Sequence, residues 1–326
     1  GVGDIEMDRD GLAAVGPADR PEPPAPAAGE VKLQMLAMSV NPADLLLLEG
    51  RYGVKPEPPF IPGAEGVARV IEIGEGVTDL AVGDLAIPLP GPAWVERMTL
   101  PRAAVVKIPE GADLDQAAML KANPATALAM LKDIVGLQPG DWVAQNAANS
   151  AVGVNVIRLA KALGLKTINV VRRPGPEERL YALGADAVLV HDGEGPPPAA
   201  PGRAKLAFDA VGGWGTEALA KLCDEGAVIA NYGLLSGEPC RMDPSHLVFR
   251  DITLKGFWLT KWFRDQPKGG VAETYAYLVE RLKAGDIGAP VAARYPLERA
   301  AEAVAHAARD ARDGKVLLIT SAHPEA

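Results

Sequence analysis

The spacing of apolar positions changes character along this chain, and the changes mark its parts. Up to Glu30 the residues are rich in Pro and Ala, and Pro17, Pro21, Pro23, Pro24 and Pro26 break any helix or central strand. A weak early strand and then an extended connector are expected there. Residues 31–40 form a β-leaning run with apolar positions on both faces, stopped by Asn41-Pro42. From Gly63 to about Leu100 the pattern is short β runs, over 67–73 and 85–89, with a turn at Gly74-Glu75-Gly76. Pro88 and Pro90 suggest an edge or a bend. Short strands with frequent turns predict a compact, mostly β module.

At about Leu120 the rhythm shifts, and apolar strand-length runs alternate with helix-length segments. Strands are predicted over 141–147, 167–171, 187–190, 206–211, 227–232 and 252–259, with helices over 151–163, 177–183 and 216–222. Val152, Val156, Leu159, Ala160 and Leu163 fall near helical spacing in the first helix, and Gly184 closes the second. This alternation predicts an α/β fold with a doubly wound parallel sheet and helices on both faces. The tail returns to another design, with helices over 271–283 and 297–312 and a short strand over 315–320. The expected layout is two discontinuous domains: residues 1–119 with 263–326, and residues 120–262. No internal repeat is present, and Pro/Ala-rich low complexity is confined to 21–28 and 196–201.

Length and charge set limits on this picture. A chain of 326 residues is long enough for two cores. A net charge of −9 lacks the broad basic footprint of nucleic-acid binders, so no nucleic-acid partner is expected. No apolar run approaches the ~20 residues that span a bilayer, so no membrane partner is expected either. Two cysteines, Cys223 and Cys240, make no disulfide framework and fit a reducing compartment. Asp4, Glu6, Asp8 and Asp10, with little positive charge beside them, are wrong for a leader peptide, and a cytoplasmic protein is expected.

Candidate chemistry starts where the strand over 141–147 runs into Asn149-Ser150-Ala151-Val152-Gly153 and a helix. A tight turn of small residues lets backbone N–H groups approach a pyrophosphate, and the helix N-terminus adds partial positive charge. The usual fingerprint has three glycines and this turn has one, so it also suits an ordinary βα connection. Ser150 is placed to cap the helix. The next strand ends at Arg172-Arg173, about 20 residues on, where the adenosine ribose is received. Two arginines offer bidentate donors to a 2′-phosphate, which favours NADP(H) over NAD. A pair of solvated surface arginines is the plain alternative.

At this point the residues resemble a known family. Asn123-Pro124-Ala125-Thr126-Ala127, Leu137-Gln138-Pro139-Gly140-Asp141, Gln145-Asn146-Ala147-Ala148-Asn149-Ser150, the run 167–172 and Gly256-Phe257-Trp258-Leu259-Thr260 are similar to trans-2-enoyl-CoA reductases of the mitochondrial type. These belong to the zinc-free, quinone oxidoreductase-like medium-chain dehydrogenases/reductases. The resemblance covers nearly the whole chain after about residue 30. It implies a Rossmann domain for NADP(H) and a discontinuous GroES-like catalytic domain. Asn123, Asn149, Ser150, Ala151, Val152 and Gly153 would line the cofactor, and Arg172 and Arg173 would meet its 2′-phosphate. Tyr232-Gly233-Leu234-Leu235 would pass the nicotinamide half, with Phe257, Trp258 and Leu259 closing over it. Lys315 would reach in from the C-terminal segment. Tyr52 matches the catalytic tyrosine, and Trp258 is its companion at the site. The family is homodimeric through its last nucleotide-domain strand. Two departures stand out: Ala151 replaces the family's glycine, and the loop Pro90-Gly91-Pro92-Ala93-Trp94, which would border the cleft, is shorter and richer in proline.

The implied reaction is reduction of the C2=C3 double bond of an enoyl thioester. Hydride goes to C3, and a proton reaches C2 while enolate charge develops. A tyrosine hydroxyl suits the proton donor, being neutral at pH 7 yet acidic enough to donate. Tyr52 also reads as a surface loop tyrosine, and Trp258, inside an apolar run, as core. Asp44 and Glu65 lie near turns, where a structural and a catalytic use are both open. Metal chemistry is not expected. His191, His246, His306 and His323 lack ligand spacing, and Ala64 stands where zinc relatives commonly carry histidine. No nucleophile-elbow motif marks a hydrolase. Two other readings compete: a quinone or enone reductase of the same superfamily, and an NADPH-binding protein without turnover.

Overall fold

The computed structural model describes residues 2–7, 15–309 and 313–326. Of the acidic N-terminal residues, Asp8 and Asp10 lie outside the described residues, as does the predicted helix end over 310–312. In chain order the first elements are β1 (Val2–Met7), β2 (Val15–Arg20), β3 (Glu30–Val40), α1 (Pro42–Leu48), β4 (Gly66–Ile73), β5 (Leu85–Pro88), β6 (Arg97–Pro101), β7 (Val105–Ile108) and α2 (Leu114–Ala118). There follow α3 (Asn123–Asp133), β8 (Trp142–Gln145), α4 (Ala151–Ala162), β9 (Lys166–Val171), α5 (Glu177–Leu183), β10 (Ala187–Val190), β11 (Ala204–Asp209) and α6 (Trp214–Leu222). The remainder is β12 (Cys223–Asn231), α7 (Pro244–Arg250), β13 (Thr253–Gly256), α8 (Leu259–Asp265), α9 (Gly270–Lys283), β14 (Val291–Pro296), α10 (Ala300–Ala307) and β15 (Lys315–Ile319). The chain divides into two compact units, Gly1–Ala122 with Tyr275–Ala326, and Asn123–Thr274.

The first unit is built on a sheet of order β14-β15-β3-β4-β5-β7, with β6 also pairing β3. Its pairings are antiparallel except β14 with β15. Strand β3 is buried along most of its length: Leu33, Met35, Met38 and Val40 join Ala68, Val70, Val316 and Leu318 in one core, closed by Ala303 and Val304 of α10, and Leu36 and Ala37 are buried as well. Each such Leu, Met or Val contributes about 1.5–3 kcal/mol on burial. Trp94 is part of this core, fully buried, with its indole N–H donating to Ser39 O at 3.3 Å. The proline-rich loop before it is therefore anchored at its end inside the β unit. Helix α1 was hidden in the sequence because Asn41-Pro42 reads as a stop. Here the proline occupies the first turn of a helix, where its missing N–H costs nothing.

The second unit holds a six-stranded sheet of order β10-β9-β8-β11-β12-β13, parallel throughout. Chain order reverses direction between β8 and β11, which makes that gap the topological switch point of a doubly wound sheet. The inner strands are apolar runs rather than alternating ones, as burial on both faces requires. Ala144, Ile168, Ala207 and Ile229 pack with Leu219 and Leu222 of α6. Two expectations need correction. The last strand ends at Gly256, not at residue 259, so Trp258 is not an aromatic inside a strand but the residue that precedes α8. The strand predicted over 141–147 is shorter, Trp142–Gln145, so Asn146 and Ala147 belong to the turn that follows it. Among the described residues no helix is long and apolar enough to cross a membrane.

Candidate active site

Because every strand of the second unit runs the same way, the segments that leave their carboxyl ends lie along one edge. Those segments are 146–153 after β8, Arg172-Arg173 after β9, 210–213 after β11, Tyr232–Leu235 after β12 and Phe257-Trp258 after β13. Backbone hydrogen bonds stitch them together. Asn146 N donates to Phe208 O (3.2 Å), Ala148 N to Val170 O (3.2 Å), Tyr232 N to Asp209 O (2.9 Å), Leu235 N to Ala210 O (3.1 Å) and Phe257 N to Asn231 O (2.8 Å).

The turn after β8 has the form expected of an anion cradle. Ser150 is the N-cap of α4, and its hydroxyl accepts from Gly153 N at 3.1 Å. Gly153 is required by a close approach: a Cβ there would lie 2.5 Å from Ala148 O and 2.8 Å from Ala147 O. Ala147 itself sits at φ 47°, a left-handed conformation that costs an L-residue roughly 1–2 kcal/mol. Strain at that point is what glycine relieves in looser turns of this kind. Asn149 is exposed, and Ser150, Ala151 and Val152 are half-buried, so the helix start is open at the surface of this unit. Arg172 and Arg173 are both exposed immediately beyond β9.

Beneath this edge lies a polar network that sequence reasoning missed. Asp209, fully buried, accepts from Asn146 Nδ2 (2.7 Å), Val211 N (2.9 Å), Gly212 N (2.9 Å) and Thr216 Oγ1 (2.6 Å). Asn146 Oδ1 in turn accepts from Ala210 N at 2.8 Å. The network therefore ties the β8 turn to the β11 turn, the two lips of the switch point. A carboxylate closing an apolar strand just before Gly212-Gly213 was the available signal. Tyr232 has a half-buried ring and a buried hydroxyl beside Ser150, and burial holds its pKa well above the usual phenol range. Gly233 packs against Ala210, where a Cβ would meet Ala210 O at 2.5 Å. Leu234 and Leu235 are about half exposed. Phe257, Trp258 and Leu259 are half-buried, and Asn123 is buried at the first position of α3.

Tyr52 and Lys315 belong to the other unit. Tyr52 is half-buried just beyond α1. Lys315 is buried on β15, where its ammonium donates to Val40 O (2.9 Å) and Asn41 Oδ1 (2.5 Å). Asp44 and Glu65 prove to be buried partners of the same cluster. Glu65 Oε1 accepts from Ser39 Oγ (2.6 Å) and Asn41 Nδ2 (2.9 Å), and its Oε2 from Ala122 N (2.7 Å). Asp44 Oδ2 accepts from Asn41 N at 2.7 Å, and burial pushes the Asp44 carboxyl up to about 7. Burial lowers the Lys121 ammonium, which donates to Ala64 O. Burial also pushes the Cys223 thiol up to about 12, so it is a core thiol, whereas Cys240 is exposed. Among the described residues no group of three or more His, Cys, Asp or Glu side chains is arranged to hold a metal ion.

A Rossmann sheet with an open capped helix at its switch point, joined in one chain to a discontinuous GroES-like β unit, defines a medium-chain dehydrogenase/reductase. Comparison with known proteins agrees. Residues 27–110 match the family described as "Alcohol dehydrogenase GroES-like domain", and residues 151–276 match "Zinc-binding dehydrogenase". The chain is 37% identical over 286 residues to the mitochondrial enoyl-[acyl-carrier-protein] reductase of Homo sapiens, covering 82% of this chain and 75% of that protein. It is 39% identical over 270 residues to the Caenorhabditis elegans protein of the same name, covering 80% and 78%. Among solved structures, an NADPH:quinone reductase from Bacillus thuringiensis superposes with a TM-score of 0.87 at 26% identity, covering 98% of both chains. A complex of the enoyl thioester reductase Etr1p with NADP and crotonyl-CoA superposes with a TM-score of 0.84 at 25% identity, covering 98% and 99%. The chain belongs to the enoyl-[acyl-carrier-protein] reductase family. The same comparison overturns the expected cytoplasmic location, since these relatives are named as mitochondrial proteins. Two cysteines indicate a reducing environment but do not distinguish one such compartment from another.

Proposed function

We propose that this protein reduces the C2=C3 double bond of 2-enoyl thioesters with NADPH. The observation that carries the reading is the carboxyl edge of the parallel sheet, where a Ser150-capped helix start and the exposed Arg172-Arg173 pair follow adjacent strands. The fit to the dinucleotide is steric as well as electrostatic: the Gly153 backbone lies too close to Ala147 and Ala148 for any side chain. When bound, NADPH supplies the hydride that adds to C3.

The chain's own residues supply the rest. The N–H groups of Ala151 and Val152 at the start of α4 face the pyrophosphate, with Asn149 and Ser150 beside them, while the Gly153 N–H is held by the Ser150 cap. Arg172 and Arg173 take the 2′-phosphate through charge-assisted hydrogen bonds. Tyr232 to Leu235 flank the nicotinamide half, together with Asn123, Phe257, Trp258 and Leu259. Gly233, held against Ala210, keeps that strand end close to the sheet. Tyr52 donates the proton that reaches C2, and Trp258 limits the space on the substrate side.

The identity to enoyl-[acyl-carrier-protein] reductases and the likeness to the crotonyl-CoA complex support the substrate class. The likeness to an NADPH:quinone reductase favours a second reading, reduction of a quinone or free enone at the same cofactor site. One experiment separates them: NADPH oxidation followed by absorbance with crotonyl-CoA and with 9,10-phenanthrenequinone, in wild type and Tyr52→Phe. Turnover of crotonyl-CoA that falls by roughly 100- to 10,000-fold in the variant supports the thioester reading. Quinone reduction alone, indifferent to Tyr52, refutes it.

A homodimer completes the proposal. Strand β13 is the edge of the parallel sheet, exposed along its length, and Val248 and Phe249 just before it are 71% and 78% exposed. Pairing of two copies through β13 removes an unpaired edge and covers these apolar side chains.

A further inference from the structure

The mechanism places a tyrosine beyond the end of a helix of only seven residues, and a short helix does not hold its own direction in water. Something must fix it, and both of its ends show how. At the C-terminus the bonds form a complete Schellman motif: Gly50 N donates to Leu47 O (3.0 Å), Arg51 N donates to Leu46 O (2.8 Å), and Gly50 takes φ 66°. The same Leu46 carbonyl also accepts from Tyr52 N at 3.1 Å. The backbone of Tyr52 is thus fastened to α1, and wherever α1 points, Tyr52 goes.

At the N-terminus α1 is bolted to the sheet. Asn41, its N-cap, is buried and held by its backbone and its side chain alike. Its N–H donates to Asp44 Oδ2 in the returning half of a capping box. Its amide donates to Ser39 Oγ (2.8 Å) and Glu65 Oε1 (2.9 Å), and its carbonyl oxygen accepts from Lys315 Nζ. Lys315 stands on β15 and Glu65 just ahead of β4, so the cap is clamped between strands on either side of β3. This clamp consists of charged and amide groups that a purely structural cap does not need. A Ser or Asp cap on a surface helix reaches the same N–H groups with no buried ion nearby.

We propose that the Asn41–Asp44 cap, clamped by Glu65 and Lys315, is a positioning device that aims α1 and so sets the place of the Tyr52 hydroxyl. The proposal rests on the reading of Tyr52 as proton donor. Its leverage is geometric. A seven-residue helix is about 10 Å long, so a tilt of about 6° at its start moves its far end by about 1 Å. A displacement of that size at a reacting group costs on the order of a hundredfold in rate. Asp44 and Asn41 touch no reacting atom and act only through Tyr52.

The test compares Asp44→Ala, which removes the acceptor for Asn41 N–H, with Asp44→Asn, which keeps a carbonyl oxygen there. Each is made in wild type and in Tyr52→Phe, and kcat, KM for crotonyl-CoA and the Kd for NADPH are measured. Asp44→Ala is expected to lower kcat by about tenfold to a hundredfold, with KM and Kd within about twofold. Asp44→Asn is expected to restore kcat to within about threefold of wild type. In the Tyr52→Phe background Asp44→Ala is expected to lower the residual rate no further, because the group it positions is gone. If Asp44→Ala does not fold, Ser39→Ala carries the kcat, KM and Kd comparison in both backgrounds, since it removes one acceptor of the Asn41 amide and leaves the backbone bonds of the cap in place. An equal loss in both backgrounds, a rise in the NADPH Kd, or failure of Asp44→Asn to restore kcat would overturn the positioning role. A Tyr52→Phe enzyme with wild-type kcat would instead overturn the proton-donor reading, and the positioning role with it.

Discussion

Gly153 is where fold and proposed function press hardest on one atom. Replacing its hydrogen by a methyl group puts a carbon 2.5 Å from Ala148 O, 2.7 Å from Ala148 C and 2.8 Å from Ala147 O. Ordinary contact begins at 3.4 Å, so the nearest pair is about 0.9 Å too close. All three obstructing atoms are backbone and have no rotamer to escape into. The turn cannot yield easily either, because Ala147 is already left-handed at φ 47° and Ala148 N is bonded to Val170 O. The start of α4 must therefore move outward. Overpacking of this kind costs about 1–3 kcal/mol, and the Ser150 to Gly153 cap, at 3.1 Å, has little length to give before about 1 kcal/mol more is lost. If the N–H groups of this turn hold the pyrophosphate, a shift of that size weakens one or two charge-assisted bonds of about 1.5–3 kcal/mol each. Gly153→Ala should then lower the urea midpoint and raise the NADPH Kd by about tenfold to a hundredfold. Ala151→Gly, which only removes a methyl from the first turn, should leave the Kd within about threefold. Urea unfolding and fluorescence titration with NADPH measure both. A Gly153→Ala protein with unchanged midpoint and Kd would mean that the close approach is relieved at no cost, and the cradle argument would be lost.

Three further outcomes follow from the same geometry. Substituting both Arg172 and Arg173 by Ala should raise the NADPH Kd by about tenfold to a hundredfold and leave the NADH Kd within about threefold. Equal weakening of both cofactors would argue against 2′-phosphate recognition. Phe249→Glu combined with Leu254→Glu should halve the mass measured by light scattering if β13 is the dimer edge, while an unchanged mass would place the contact elsewhere. Asp44 predicts a pH dependence of stability. Its folded pKa, raised by burial from 3.8 to about 7, makes the unfolded chain release that proton first, so stability should fall as pH rises from roughly 4 to 7. Lys315 and Lys121 oppose this rise and Glu65 adds to it. Asp44→Asn should flatten that fall in urea midpoints taken across the range, and a variant with the wild-type slope would assign the titration to another group.

The parts of this protein that were legible in its sequence are those whose signal is local. Inner strands of the parallel sheet announced themselves as unbroken apolar runs, because both faces are buried. The capping role of Ser150 was legible because a cap and its N–H lie three residues apart. Helix α1 and the placement of Trp258 failed at the same kind of point, a boundary. Pro42 fits the end of a strand and the start of a helix equally well. An apolar run such as 252–259 does not show that the strand stops at Gly256 and a helix begins at Leu259. What lay beyond local reading altogether is the polar interior. Asn146 and Asp209 are 63 residues apart, and Asn41 and Lys315 are 274 apart. Each pair is meaningful only once the sheets have closed.

Those hidden pairs share a feature that bears on function. Both put buried polar and charged groups at elements that position candidate site residues, one under the lips of the carboxyl edge and one at the start of the helix that precedes Tyr52. Buried ionic clusters contribute little net stability compared with apolar packing of the same volume, yet are costly to break. A chain that needed only a stable core had apolar alternatives at Asp44, Glu65 and Asp209. Fixed direction is what such clusters supply and apolar contacts do not, because a hydrogen bond loses strength with angle and a methyl contact does not. On the proposed function, the two clusters mark the two elements whose orientation the chemistry would depend on: the turn proposed to receive the pyrophosphate and the short helix proposed to aim the proton donor.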